Sequence, residues 1–166
     1  MNSYLIDPFE FCRKGESLKG SASLSELNRL AAVCADHTGE LAWEVSGAFN
    51  KRNQAELSLG VSGTINLMCQ RCLSPLVFDI DSETTVLVAK TEEQADEMEE
   101  TLGNEDSVEV IVTDGKINVL DLIEDEALLS LPLSSKHEIC PDSSMDELKN
   151  NIPSPFSVLG KLKKKE

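Results

Sequence analysis

Between Leu41 and Val88 three runs carry apolar side chains in alternation, and no other feature limits the fold of this chain as tightly. In LAWEVSGAF they are Leu41, Trp43, Val45 and Phe49. After the polar turn NKRNQ they are Leu57, Leu59, Val61, Ile65, Leu67 and Cys69, and in PLVFDIDSETTVLVAK they are Phe78, Ile80, Val86 and Val88. A period of two places alternate side chains on opposite faces of a strand, so each run buries one face and leaves the other in water. The spacing predicts an antiparallel hairpin followed by a third long strand. Gly60 and Gly63 predict bending or a bulge in the second strand, which opens the way to partial barrel closure.

Two segments switch to helical periodicity. Ser23 and Glu26 have capping-box spacing, and Leu27, Leu30, Ala31 and Cys34 share one face, which predicts a helix from about Leu24 to Ala35 with Cys34 on its buried side. In NVLDLIEDEALLSLP, Asn118 is the cap, acids crowd the first turns and Pro132 is the stop, giving a helix over 119–131. At 100° per residue, Leu129, Leu122, Val119, Ile123, Ala127, Leu120 and Leu131 cover a broad apolar arc. Asp121, Glu124 and Asp125 lie largely outside it, whereas Glu126, at about 340°, falls inside. A buried carboxylate needs a partner, and Arg71 is a candidate. General acid/base catalysis is the other use of such a group, but no nucleophile or second catalytic group accompanies it. TEEQADEMEETLGNED, spanning the acidic loop 91–107, reads as a solvated loop or short helix; VEVIV reads as a short strand and TDGK as a tight turn with positive φ at Asp-Gly. The predicted fold is α+β: a curved antiparallel sheet of roughly four to six strands with two packed helices, in a single domain over 1–133. Residues 134–166, rich in Ser, Pro and Asn with a basic end, form an extended, largely flexible C-terminal segment.

Charge decides which partners suit such a body. Thirty acids against fifteen bases give −15, but the last six residues, KLKKKE, hold four of the lysines. Residues 1–160 carry 29 acids and 11 bases, and between Lys90 and Lys116 there are ten acids and no base. A surface of that sign repels phosphate, which argues against tight unaided RNA binding and for a basic protein partner. Five cysteines, an odd number, do not make a secreted disulfide framework, and the opening MNSYLIDPFE lacks the basic and apolar regions of a signal peptide. No apolar run reaches membrane-spanning length, so the chain is expected to be cytoplasmic, with Cys12 and Cys34 as small buried apolar residues.

The other three cysteines need a chemical account. Cys69 and Cys72 stand as Cys-x-x-Cys in MCQRCLSPL, at the turn between the second and third strands. His137 and Cys140 supply another pair just past the acidic helix. Together the four have the donor set of a tetrahedral zinc site. The alternatives are a turn that merely contains sulfur, or a thiol redox pair, although redox Cys-x-x-Cys normally opens a helix after a strand. A magnesium nuclease built on Glu124, Asp125 and Glu126 fails on geometry, because consecutive helix residues point about 100° apart.

The order CQRCLSPL, INVLDLIEDEALLSLPLSSKH and PSPFSVLGKLKKK resembles the YceD family, the large ribosomal RNA subunit accumulation proteins. The resemblance rests on Cys69 and Cys72, on Glu124, Asp125 and Glu126, on Leu131-Pro132 and His137, and on Pro155-Phe156 followed by Val158-Leu159 and lysines. Family members often carry further cysteines in this region; here these are reduced to His137 and Cys140. The resemblance implies a non-enzymatic cytoplasmic factor in the synthesis, processing or stability of large-subunit ribosomal RNA. Its partner would be a basic ribosomal protein or a large-subunit precursor particle, with indirect or tail-mediated RNA contact and no membrane. The residues expected to meet partners are Arg71, Glu124, Asp125, Glu126, Pro155, Phe156, Lys161, Lys163, Lys164 and Lys165. The alternative function is a zinc-stabilised or thiol-redox module using the Cys-x-x-Cys turn.

Overall fold

The computed structural model describes residues 4–103 and 108–141. The three alternating runs become β3 (Glu40–Phe49), β4 (Ala55–Met68) and β5 (Pro75–Ala89), paired antiparallel in continuous register from Leu41↔Gly63 and from Ala55↔Val88 to Met68↔Pro75. The inward set is the alternating one: Leu41, Trp43, Val45, Leu57, Leu59, Val61, Ile65, Leu67, Ile80, Val86 and Val88 are all buried. Phe49, the last residue of its strand, departs from it and is 43% exposed. The glycines make no bulge, since pairing runs unbroken through both. Gly63 instead permits close approach: a Cβ there would lie 2.7 Å from the Glu40 carbonyl oxygen.

The N-terminal segment adds elements that alternation does not announce. Asp7 caps α1 (Pro8–Lys14) by accepting from the Phe9 and Glu10 amides; Pro8 opens the helix, and Gly15, at φ 62°, closes it. β2 (Ser17–Ser23) then pairs antiparallel with β3. The capping box at Ser23 and Glu26 forms, but it begins a 3₁₀ turn (Leu24–Glu26) and a short α2 (Asn28–Ala31) rather than one helix to Ala35. The chain leaves the helix because Cys34 bridges Leu67 of β4 and the Ala35 amide donates to the Asn66 carbonyl, at 2.7 Å. Cys34 is therefore only half-buried.

The sheet order is β2-β3-β4-β5-β6, and its last pair is parallel, contrary to the all-antiparallel expectation. The cause is α3 (Glu92–Leu102), a helix where the acidic loop was expected. It is capped by Thr91, whose hydroxyl accepts from the Gln94 amide. As the crossover between β5 and β6 (Val108–Val112), it returns the chain in the same direction. Ala95 and Met98 pack on Leu87 and Ala89, so the end of β5 is buried on both faces. The opposite face holds the main core beneath α1, the 3₁₀ turn, α2 and α4 (Val119–Leu129). A small antiparallel pair, β1 (Leu5–Ile6) with β7 (Ile117–Asn118), closes the N-terminus against the start of α4. Gly115 in the intervening turn does not take positive φ. The result is an α+β fold with four α-helices and no closed barrel among the described residues. Among the described residues no helix is long and apolar enough to cross a membrane.

Candidate metal centre at the hairpin tip

The turn joining β4 to β5 is closed by its own backbone. The Leu73 amide donates to the Cys69 carbonyl and the Cys69 amide to that of Ser74, both at 2.9 Å. Leu73 sits at φ 59°, a left-handed conformation that a side chain with a Cβ rarely adopts. This bend turns Cys69 and Cys72 to the same side of the tip. Beyond α4 the chain crosses over the tip, held by the Gln70 amide on the Ser135 carbonyl at 2.8 Å and the Ser134 hydroxyl on Gln70 Oε1 at 3.0 Å. That crossing delivers His137 and Cys140.

The ligand atoms of Cys69, Cys72, His137 and Cys140 all lie within 4.8 Å of one another. Cys69 Sγ is 3.9 Å from Cys140 Sγ, and Cys72 Sγ is 3.3 Å from His137 Nδ1. The other ring nitrogen, Nε2, is 3.1 Å from the Pro75 carbonyl, an acceptor, so Nε2 carries a hydrogen. All the cysteines are free thiols. Burial pushes the Cys69 thiol up, but amide donors from Cys72, His137 and Arg71 outweigh it and hold the group down at about 5. The His137 imidazole is raised, chiefly by its hydrogen bond with Cys69. The sequence expectation named these four residues; the structure brings them together.

Arg71 is the correction. It does not serve Glu126, which instead accepts a hydrogen bond from the Ser82 hydroxyl. Its Nε lies 3.0 Å from Cys140 Sγ, and its Nη2 donates to the His137 and Glu138 carbonyls at 2.9 and 3.3 Å. The buried carboxylate of α4 is Glu124, not Glu126, because α2 stands over that side of the helix. Glu124, 6% exposed, accepts from the Arg29 and Leu30 amides at 2.6 and 3.1 Å and from Arg29 Nε at 2.8 Å. Arg29 Nη1 also pairs with Asp125. Glu124 is thus spent inside the protein and presents no surface to a partner. Leu129, placed in the apolar arc from sequence, is 67% exposed. Arg29 escaped the sequence reading, since nothing local links it to a residue 95 positions away. Pro155, Phe156, Lys161, Lys163, Lys164 and Lys165 lie outside the described residues.

With this geometry in place, comparison with known proteins bears on what the tip serves. The family described as "Large ribosomal RNA subunit accumulation protein YceD" matches residues 57–163, more than half of the chain. That span takes in most of β4, the cysteine tip and α4. The large ribosomal RNA subunit accumulation protein YceD of Haemophilus influenzae is 25% identical over 169 residues, covering 96% of this chain and 95% of the relative. No solved structure matches. On a match that holds the hairpin tip and the acidic helix in a single span, the chain belongs to the YceD family of large ribosomal RNA subunit accumulation proteins.

Proposed function

We propose that this protein is a non-enzymatic cytoplasmic factor in the accumulation of large-subunit ribosomal RNA, acting through a basic ribosomal protein or a large-subunit precursor particle. The reading rests on family membership and on one observation that bears on the kind of partner: the outward face of α3 is acidic. On α3, Glu92, Glu93, Asp96, Glu97, Glu99 and Glu100 all face solvent, and among the described residues none forms an ion pair. Such a helix face raises the association rate of a cationic partner and repels bare phosphate.

The groups an enzyme would need are occupied otherwise. Glu124, Asp125 and Glu126 diverge to Arg29 and Ser82 instead of converging on a metal. Cys69 and Cys72 sit on a hairpin tip beside His137 and Cys140, not at the start of a helix after a strand as in a thioredoxin-like redox pair. The test is affinity capture of the tagged protein at low salt, with both proteins and RNA identified. The expected result is capture of large-subunit precursors and a basic ribosomal protein, weakening as salt rises. Capture absent at low salt, or nanomolar binding of naked ribosomal RNA by the purified protein in physiological buffer, refutes it.

A further inference from the structure

We infer that Cys69, Cys72, His137 and Cys140 form a structural zinc centre that clasps residues 134–141 onto the β4–β5 tip, with Arg71 and the Pro75 carbonyl as its outer supports. Zinc with sulfur at 2.3 Å and nitrogen near 2.05 Å sets the edges of its tetrahedron at about 3.8 Å between sulfurs and about 3.6 Å between sulfur and nitrogen. The Cys69–Cys140 and Cys72–His137 separations, 3.9 and 3.3 Å, straddle those edges, and every remaining pair is within 4.8 Å. A disulfide would bring two sulfurs to about 2.0 Å and leave the other thiol and the imidazole without a purpose.

The surroundings are those that a metal ligand set requires. Metal-bound histidines usually donate their second ring hydrogen to a carbonyl or carboxylate, which fixes the tautomer. His137 does so to Pro75, so Nδ1 is the ring nitrogen turned to the sulfurs and the one that would bind a metal once deprotonated. Three thiolates and a divalent ion leave one net negative charge. The Arg71 guanidinium supplies the opposite charge beside Cys140 Sγ and ties down the His137 and Glu138 carbonyls. Leu73 holds the left-handed bend that keeps Cys69 and Cys72 on one side, a local strain that a bound ion would offset. The ligands come from two segments separated by more than sixty residues, so binding would close a long loop and stabilise the docked segment.

The full-length protein, purified without added metal, tests this directly. The expected content is one zinc per chain, and replacement by cobalt should give the visible bands of tetrahedral cobalt with thiolate charge transfer. Chelation should speed tryptic cleavage after Lys136, inside the clasp, by about tenfold or more, as expected when a locally ordered segment opens. Arg71→Met should weaken metal affinity roughly ten- to a hundredfold, the range for outer-shell partners. Cys34→Ser should keep full occupancy and Cys140→Ser should lose it. Zinc below about a tenth of an equivalent with a normal urea transition overturns the proposal, as does a cobalt spectrum without thiolate bands or full occupancy in Cys140→Ser. The cobalt measurement needs no variant, so a misfolded mutant cannot shelter the idea.

Discussion

Glu124 offers the sharpest test of how α4 is held. The two amides it serves, the part-buried one of Arg29 and the buried one of Leu30, donate to the same atom, Oε1, while Arg29 Nε takes Oε2. Glu124→Ala leaves two amide donors without an acceptor. Each orphaned buried amide costs about 1–3 kcal/mol, and water entering the vacated space brings the sum toward about 3 kcal/mol. The Arg29 side chain, 51% exposed, rehydrates and adds little. Glu124→Gln keeps a carbonyl oxygen with two lone pairs at the Oε1 position, so both amides remain satisfied and the loss should be only about 1 kcal/mol. Urea unfolding followed by the fluorescence of Trp43, the only tryptophan and a buried one, measures both. At roughly 2–4 °C per kcal/mol for a chain of this size, the alanine variant should melt about 6–12 °C lower. A loss below about 0.5 kcal/mol for alanine, or equal losses for alanine and glutamine, would refute the acceptor argument.

Other perturbations separate packing, charge and titration. Gly47→Ala puts a Cβ 2.6 Å from Phe11 Cδ1 and 3.0 Å from the Cys12 backbone, so it should displace α1 and cost about 1–3 kcal/mol in the same urea assay. Gly60→Ala, whose Cβ meets only Glu83 Cγ at 3.9 Å, should stay within about 0.5 kcal/mol of the parent. Replacing Glu93, Glu97 and Glu100 by lysine should abolish the salt-sensitive capture of a basic partner while leaving circular dichroism unchanged; undiminished capture would remove α3 from the interface. The Thr38 hydroxyl and amide, with the Asn66 side chain, hold the Asp36 carboxyl below its ordinary range. A depressed folded pKa contributes stability that is complete above the unfolded pKa and is lost as pH falls through the folded one. The stability gap between the parent and Asp36→Asn should therefore shrink on acidification through the carboxylate range, and a constant gap would contradict it.

How much of this could be read without coordinates follows from the range over which each cause acts. Alternation is a property of neighbours along the chain, so β3, β4 and β5 and their inward faces were legible, as was the Asn118 cap of α4. The signals of α1 were equally local, with Asp7-Pro8 at its start and Gly15 at its end, as were those of α3, with Ala95, Met98 and Leu102 at helical spacing behind the Thr91 cap. In α3 the acidity hid them, because six charged residues look like a loop when the narrow apolar stripe is overlooked. β2, with Leu18, Gly20 and Ala22 as its inward residues, is too small-sided to show a pattern.

The sequence by itself determined the strand faces, the helix caps and the four soft ligands, because periodicity, capping chemistry and donor type are written in short stretches of chain. The tertiary structure alone decided that β6 runs parallel, that Glu124 rather than Glu126 is buried, and that Arg71 attends Cys140. Each of these depends on which distant surface closes over a residue: a helical wheel ranks directions around its own axis, but the neighbour that occupies each direction comes from another part of the chain.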